Sequence, residues 1–351
     1  MLKKNRGAKL TEETPQPDRL DRETFEQQVE PLRRELRLHC YRMLGSPQEA
    51  EDLVQETYLR AWRSLDSFVG RGPLRAWLYR IATNACLNAL ASRKDAHRWL
   101  PEQHSPPREQ LPDGDPSTDI PWLAPYPDSL IAGIADEAPN PAVRYETRES
   151  VQLAFLAVIQ QLPPRQRAAL LLCDVLGWSA GETASLLGGS STSINSVLQR
   201  ARATLSQRFP EGRTRGTSPD QGERALLDRY VRAWEGADTE GFVALLKEDA
   251  TLAMPPWTHW YRGRDWSRAF FSKAWTAYAG FRLVAIEANC QPAFAFYACK
   301  SGEAIFRAHS VQILEIREGA IAAMTKYLKP LGPALFADFG LPLNLQTEEK
   351  L

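Results

Sequence analysis

The chain has 351 residues, 43% hydrophobic and 25% charged, enough for two or three domains with substantial cores and too long for one small module. Its 43 basic side chains balance 43 acidic ones, which excludes a uniformly basic coat but leaves room for local basic faces. Five cysteines (Cys40, Cys86, Cys173, Cys290, Cys299), with no C-x-x-C pair, argue against a disulfide framework or structural zinc. Reduced thiols in a cytoplasmic protein are the expectation, with no metal and no cofactor. No apolar run is long enough to span a bilayer, and Met1–Leu20 is mixed-charge and lacks the apolar segment of a signal peptide, so no membrane association is expected.

Residues 1–20 read as a disordered tail, and 21–98 as a helical block. Ser46-Pro-Gln-Glu49 is a capping box with Pro at the first helical position. The helix it opens carries Ala50, Leu53, Val54, Tyr58, Ala61, Trp62 and Leu65 along one stripe. Its opposite face shows Asp52, Gln55, Glu56 and Leu59, either a solvated acidic face or a docking surface. From Ser67 to Arg98 six basic residues stand against one acid, with Phe68, Trp77 and Tyr79 interleaved. Cations that track phosphates beside rings and amides that hold unstacked bases suit single-stranded nucleic acid. Trp77, Leu78, Ile81 and Ala85 equally suit a core, leaving the polar residues between them to meet DNA.

Residues 99–147 carry ten of the 25 prolines, and 99–148 a net charge of −6, the composition of an acidic, Pro-rich linker. Within it Ile120-Pro-Trp-Leu-Ala-Pro-Tyr126 is an apolar patch able to dock elsewhere.

Helical patterning resumes over 148–211. Gln161-Leu-Pro-Pro-Arg-Gln-Arg167 leads into a short apolar helix, Ala168–Cys173. Ser179 with Glu182 forms a second capping box for a helix to Leu187. Gly188-Gly189 supplies a left-handed turn, and Ser190 caps the next helix. That helix buries Ile194, Val197, Leu198, Ala201 and Leu205 and shows Thr192, Asn195, Ser196 and Gln199, flanked by Arg200 and Arg202. The pattern is helix-turn-helix, in which Asn and Gln can pair with adenine and Arg with guanine or phosphate. A helical hairpin that binds no DNA would be capped in the same way.

After a short Gly/Thr/Ser-rich linker, 212–222, the texture changes. Amphipathic helices at Ala225–Trp234 and Gly241–Leu246 precede strands at Ala250–Met254, Phe281–Ala288, Ala293–Cys299, Ala304–Ile316 and Ala320–Tyr327. These make a compact α+β domain over 223–340, followed by a tail, 341–351.

Four segments in order resemble a bacterial sigma factor of the extracytoplasmic-function type, in the sigma-70 family: Ala50-Glu-Asp-Leu-Val-Gln-Glu-Thr-Tyr-Leu-Arg-Ala-Trp62, Leu74-Arg-Ala-Trp-Leu-Tyr-Arg-Ile-Ala-Thr-Asn84, Leu162-Pro-Pro-Arg-Gln-Arg167 and Gln199-Arg-Ala-Arg202. The C-terminal domain resembles the SnoaL-like, nuclear-transport-factor-2-like cone through Tyr230-Val-Arg-Ala-Trp234, Leu246-Lys-Glu-Asp-Ala-Thr-Leu252 and Trp260-Tyr-Arg-Gly-Arg264. The architecture implied is two all-α sigma modules, region 2 and a helix-turn-helix region 4, joined by a Pro-rich linker and followed by an α+β cone. The partners implied are core RNA polymerase and promoter DNA.

Carried over by position, the resemblance assigns Asp52, Gln55 and Glu56 to core polymerase. It assigns Arg71, Arg75, Arg80, Asn84 and Asn88 to the −10 element, and Thr192, Asn195, Ser196, Gln199, Arg200 and Arg202 to the −35 element. Family members often carry basic residues where Asn195 and Val197 stand, so the promoter sequence does not follow. The cone implies a cavity, with Trp257, His259, Trp260, Tyr261, Asp265 and His309 as candidate lining for a small molecule or peptide. In the subgroup with this extension the cone regulates in cis, and no enzymatic activity is expected. Two alternatives remain at this stage, a helix-turn-helix regulator fused to a ligand-binding cone and one fused to an enzymatic cone.

Overall fold

The computed structural model describes residues 22–68, 73–93, 95–110, 115–117, 119–132, 134, 149–208 and 220–346. Its helices are α1 (Arg22–Val29), α2 (Arg33–Leu44), α3 (Pro47–Arg63), α4 (Leu74–Ala91), the single turn α5 (Pro101–His104), α6 (Leu153–Gln160), α7 (Pro164–Leu170), α8 (Ala180–Leu187), α9 (Ser191–Arg208), α10 (Gln221–Glu235), α11 (Thr239–Val243), α12 (Arg264–Ala277) and α13 (Leu331–Leu335). The strands are β1 (Leu246–Ala253), β2 (Trp260–Arg262), β3 (Gly280–Ala288), β4 (Gln291–Cys299), β5 (Ile305–Arg317), β6 (Ala320–Tyr327) and β7 (Asn344–Gln346).

Capping residues start the helices where the sequence anticipates. Ser46 accepts from the Glu49 amide at the head of α3, and Ser179 and Glu182 cap α8 reciprocally. Gly188 and Gly189 take φ of 74° and 127°, and Ser190 Oγ accepts from the Ser193 amide at the head of α9. The helix expected at Ala168–Cys173 starts earlier, at Pro164, and runs into one π-helical turn, Leu171–Val175. At the end of α2, Gly45 holds φ 70°. A Cβ there would come within 2.8 Å of the Arg98 side chain and 2.9 Å of Leu123.

The sheet runs β2-β1-β6-β5-β4-β3, with β7 added to β5; only β1 and β6 are parallel. Bulges between Phe296 and Tyr297 and between Glu315 and Ile316 break the register and bend the sheet. Its concave face packs on α10 and α12 around Trp234, Phe242 and Phe271. The 14-residue helix α12 and strand β7 lie outside the expected elements, and β7 falls beyond the expected limit of the cone at 340. Three residues are too short for a readable alternation.

Both faces of the central strands are buried. Along β4, Phe294, Phe296 and Ala298 point into the cone, while Ala293, Ala295 and Tyr297 belong to a second core. That core is continuous with α2, α3, α4, α6 and α7 and with Leu123, Tyr126 and Ile131 of the Pro-rich segment. The apolar patch Ile120–Tyr126 of the Pro-rich segment therefore docks as expected, with Trp122, Leu123 and Tyr126 buried. The helical modules, the segment between them and the cone share one interior. Among the described residues no helix is long and apolar enough to cross a membrane, and no His/Cys/Asp/Glu group could hold a metal ion.

Candidate nucleic-acid interface

On α3, Asp52, Gln55 and Leu59 are exposed and Glu56 is half-buried. Their spacing of i, i+3, i+4 and i+7 makes one stripe. Leu59 is 57% exposed, one of two large apolar side chains so open among the described residues. Glu56 pairs with Arg60 at 2.6 Å, and Gln55 donates to Glu51 at 3.5 Å. An open acidic stripe with a leucine in it suits a partner that is basic and partly apolar.

The face of α4 is less open. Arg75 donates three hydrogen bonds of 2.8–3.0 Å to Glu35 on α2 and lies over the Tyr79 ring at 4.9 Å. Arg80 donates to the Ser185 carbonyl on α8 at 3.4 Å, and Tyr79 meets Trp178 at 5.9 Å. Asn84 and Asn88 are exposed on the same helix, and Phe68 stacks near Trp77 at 4.8 Å. Arg71 lies outside the described residues. Of the group assigned to the −10 element, two side chains are thus already engaged, one of them by the helix-turn-helix module itself.

On α9, Thr192, Asn195, Ser196, Gln199, Arg200 and Arg202 are all exposed. Arg202 is paired with Asp174 at 2.5 and 2.9 Å, which orients it beside the helix rather than away from it. The opposite side buries Ile194, Leu198 and Ala201 against α7 and α8. The hairpin presents a polar N-terminal face, the form in which a helix enters a major groove.

Two buried polar centres that the sequence reading did not single out hold the modules together. The Arg167 guanidinium, wholly buried, donates to Ile159 O at 3.0 Å, Gln160 O at 2.7 Å, Gln160 Oε1 at 2.8 Å, Leu162 O at 3.3 Å and Ala96 O at 3.4 Å, and also to Met43 O. It caps the C-terminal ends of α6 and α2, where a cation is favoured. Burial lowers its pKa to about 9, so it stays charged at neutral pH. Beside it Arg42 donates to Ser150 Oγ at 2.7 Å, and Gln160 Nε2 to Arg42 O at 2.9 Å.

The second centre is Asn289. It occupies the two-residue turn between β3 and β4 with Cys290, at φ 58° and 55°. Its Oδ1 accepts from the Tyr126 amide at 2.9 Å. Its Nδ2 donates to Tyr41 Oη at 2.8 Å and to Val151 O at 2.7 Å, and its amide donates to Tyr126 O at 2.9 Å. One buried side chain of the cone therefore binds α2, the Pro-rich segment and the residues leading into α6. Tyr327 on β6 donates to Leu123 O at 2.8 Å, and Gln291 Oε1 accepts from the Leu153 amide at 3.1 Å. The signal available was an Asn at a hairpin turn, but nothing local names its partners.

The cone holds a cavity of about 340 Å³. Of the six residues expected to line it, Trp257 and His309 do so. Trp260, Tyr261, Asp265 and His259 do not. Trp260 Nε1 donates to Ser105 O at 2.7 Å and Tyr261 Oη to Gln110 O at 2.9 Å, so both side chains anchor the Pro-rich segment. Asp265 is on the surface, paired with Arg268 at 2.9 Å, and the His259 carbonyl closes the turn before β2 by accepting from Met254. The expectation treated a Trp-rich loop as cavity wall, when half of it faces outward onto another segment. The lining that sequence reading missed is mostly apolar and aromatic, with three lysines in it: Lys273, Lys326 and Lys329.

The Sigma-70 region 2 family matches residues 28–96, the Sigma-70 region 4 family residues 152–205, and the SnoaL-like domain family residues 227–324. The ECF RNA polymerase sigma factor SigG of Mycobacterium tuberculosis is 40% identical over 330 residues, covering 92% of this chain and 85% of that protein. The ECF RNA polymerase sigma factor SigJ of the same organism is 29% identical over 225 residues, 64% of this chain and 63% of that protein. The crystal structure of SigJ superposes with a TM-score of 0.58 at 22% identity, over 91% of this chain and 99% of that one, and so shares the fold.

Proposed function

The chain belongs to the extracytoplasmic-function sigma factors of the sigma-70 family, and from that premise we propose how its parts divide the work of promoter recognition and how the cone governs them. As a sigma factor it binds core RNA polymerase and directs it to promoter DNA for initiation. The stripe Asp52, Gln55, Glu56 and Leu59 docks on core polymerase. Arg71, Arg75, Arg80, Asn84 and Asn88 open and hold the −10 element, and the α9 face Thr192–Arg202 reads the −35 element in the major groove. Bases flipped out of the −10 duplex offset the cost of opening through stacking and charge contacts.

The cone restrains these modules in cis. Promoter elements centred near −35 and −10 are separated by about 25 base pairs, or roughly 85 Å at about 3.4 Å per base pair. In the free chain Arg80 of α4 touches Ser185 of α8, the helix packed on α9. The two DNA faces thus lie within roughly one helix length of each other, about 27 Å for the 18 residues of α9. Such a pair cannot span the promoter, so the modules must separate for initiation. The Asn289 centre, which ties cone, Pro-rich segment and both modules together, is the single observation that carries this reading. The cone acts as a binding and restraining domain rather than an enzyme: no carboxylate lines its described cavity, and β6 ends Thr325-Lys326-Tyr327 where enzymes with the resembling fold often carry an acid.

Run-off transcription with core polymerase tests this, comparing the full chain with Asn289→Ala. The variant is expected to initiate several-fold more at equal core binding. Equal or lower initiation by a folded variant that binds core normally would remove the restraint.

A further inference from the structure

Lys326 is 1% exposed and points into the cone. Its Nζ sits 3.2 Å from the Phe296 ring centroid and 4.5 Å from that of Trp234, with one hydrogen bond, to Gln312 Oε1 at 3.2 Å. No carboxylate faces it among the described residues. His309, beside it on β5, is held neutral with its pKa lowered to about 3, first by burial and then by Lys326 and Lys329. Lys273 and Lys329 stand exposed along the same cavity. Glu303 lines a separate recess beyond His309 and pairs with Arg307 at 3.5 Å. A buried amine with no counter-charge is costly, and evolution of a core would ordinarily remove it or pair it.

The rest of the wall is apolar and aromatic, with Met254, Phe270, Phe281 and Leu328. Trp257 Nε1 is a buried donor with no acceptor among the described residues. At about 340 Å³ the space lies at the lower end of the range for small-molecule sites, about 300–1,000 Å³. Every polar group brought to it donates or is basic, and everything else is greasy.

We propose that this cavity binds an amphipathic monocarboxylic acid, its apolar body against Phe281 and Trp257 and its carboxylate paired with Lys326 Nζ. Burial lowers the Lys326 pKa well below its usual value; an incoming carboxylate favours the protonated amine and pairs with it away from water, where a charge-assisted hydrogen bond is strongest. A linear fatty acid and an aromatic acid share this chemistry. The next residue, Tyr327, projects through the other face of the sheet onto Leu123, so the ligand's anchor and the cone's contact with the Pro-rich segment are adjacent on one strand. The binding site stands whether or not the cone restrains the sigma modules.

Titration calorimetry of the full chain tests it with four probes: decanoate and decan-1-ol, 2-naphthoate and 2-naphthalenemethanol. At least one acid is expected to bind at least ten-fold more tightly than the alcohol of the same shape, and the arm that does so identifies the body as linear or aromatic. Lys326→Met is expected to abolish that preference and leave binding of the alcohol unchanged. Equal affinity of acid and alcohol on the unaltered chain, or no binding of either acid, would overturn the proposal without recourse to any variant. A preference for the acid that survives in Lys326→Met would overturn the role of Lys326.

Discussion

Asn289 makes its contacts from a left-handed backbone conformation that Asn tolerates better than most residues. Replacing it with Ala strips the partner from the buried Tyr126 amide and the Val151 carbonyl, and Ala is strained at φ 58°. The expected loss is about 3 kcal/mol of unfolding free energy, read from a denaturant melt. Glu102, in the turn α5, gives a pH signature. One of its oxygens is buried without a partner among the described residues, and burial, reinforced by Glu315, pushes its pKa from 4.5 up to about 7. The folded chain then holds a proton that the unfolded chain has already released between pH 4.5 and about 7. Glu102's contribution to stability is therefore complete below pH 4.5, falls as pH rises towards 7, and stays at its low level above. Glu102→Gln is expected to raise the thermal midpoint at pH 8 and flatten its slope between pH 5 and 7; an unchanged slope would contradict the burial argument. Neither residue was legible as important, because each owes its role to chain more than 100 positions away.

Helices with caps were the most legible elements. Ser46 and Ser179 act through bonds three residues long and the glycine pair at 188–189 through its own positive φ, and such local chemistry survives any tertiary context. Strand β4 was legible as a strand but not as one buried on both faces. Its run Ala-Phe-Ala-Phe alternates small and large up to the bulge at Phe296, with the phenylalanines filling the cone and Ala293 and Ala295 in the second core. A continuous apolar strand is itself the mark of two-sided burial. Among the exposed elements, the roles proposed for α3 and α9 are separable. Leu59→Glu is expected to weaken core-polymerase binding while changing stability by no more than about 0.5 kcal/mol. On α9, Gln199→Ala should cost about 1–3 kcal/mol of discrimination at one base pair. Arg200→Ala should instead weaken all sequences alike and lower the salt slope by about one. If the two variants weaken binding identically on every promoter, α9 does not read bases.

At the scale of the whole molecule, the order of modules was legible from four motifs, whereas their packing into a single interior was not. In the Pro-rich stretch 99–147 the patch holding Leu123 and Tyr126 was legible as a docking segment but not its partners, α2 and the sheet, and the composition hid the anchors Ser105 and Gln110 against β2 and the loop before it. Each anchor is a lone apolar or polar residue whose partner lies in another domain, and periodicity has no purchase on such contacts. The consequence is a chain whose proposed polymerase-docking stripe is open while the two faces proposed to meet DNA are held side by side. The most direct measurement is single-molecule energy transfer between dyes attached through unnatural amino acids at Ala91 and Ser206, exposed near the C-terminal ends of α4 and α9. A short separation in the free chain that lengthens by tens of ångströms with core polymerase and promoter DNA, and lengthens partly in Asn289→Ala alone, is the predicted result. The same separation in the free and promoter-bound chain would contradict the closed-to-open account.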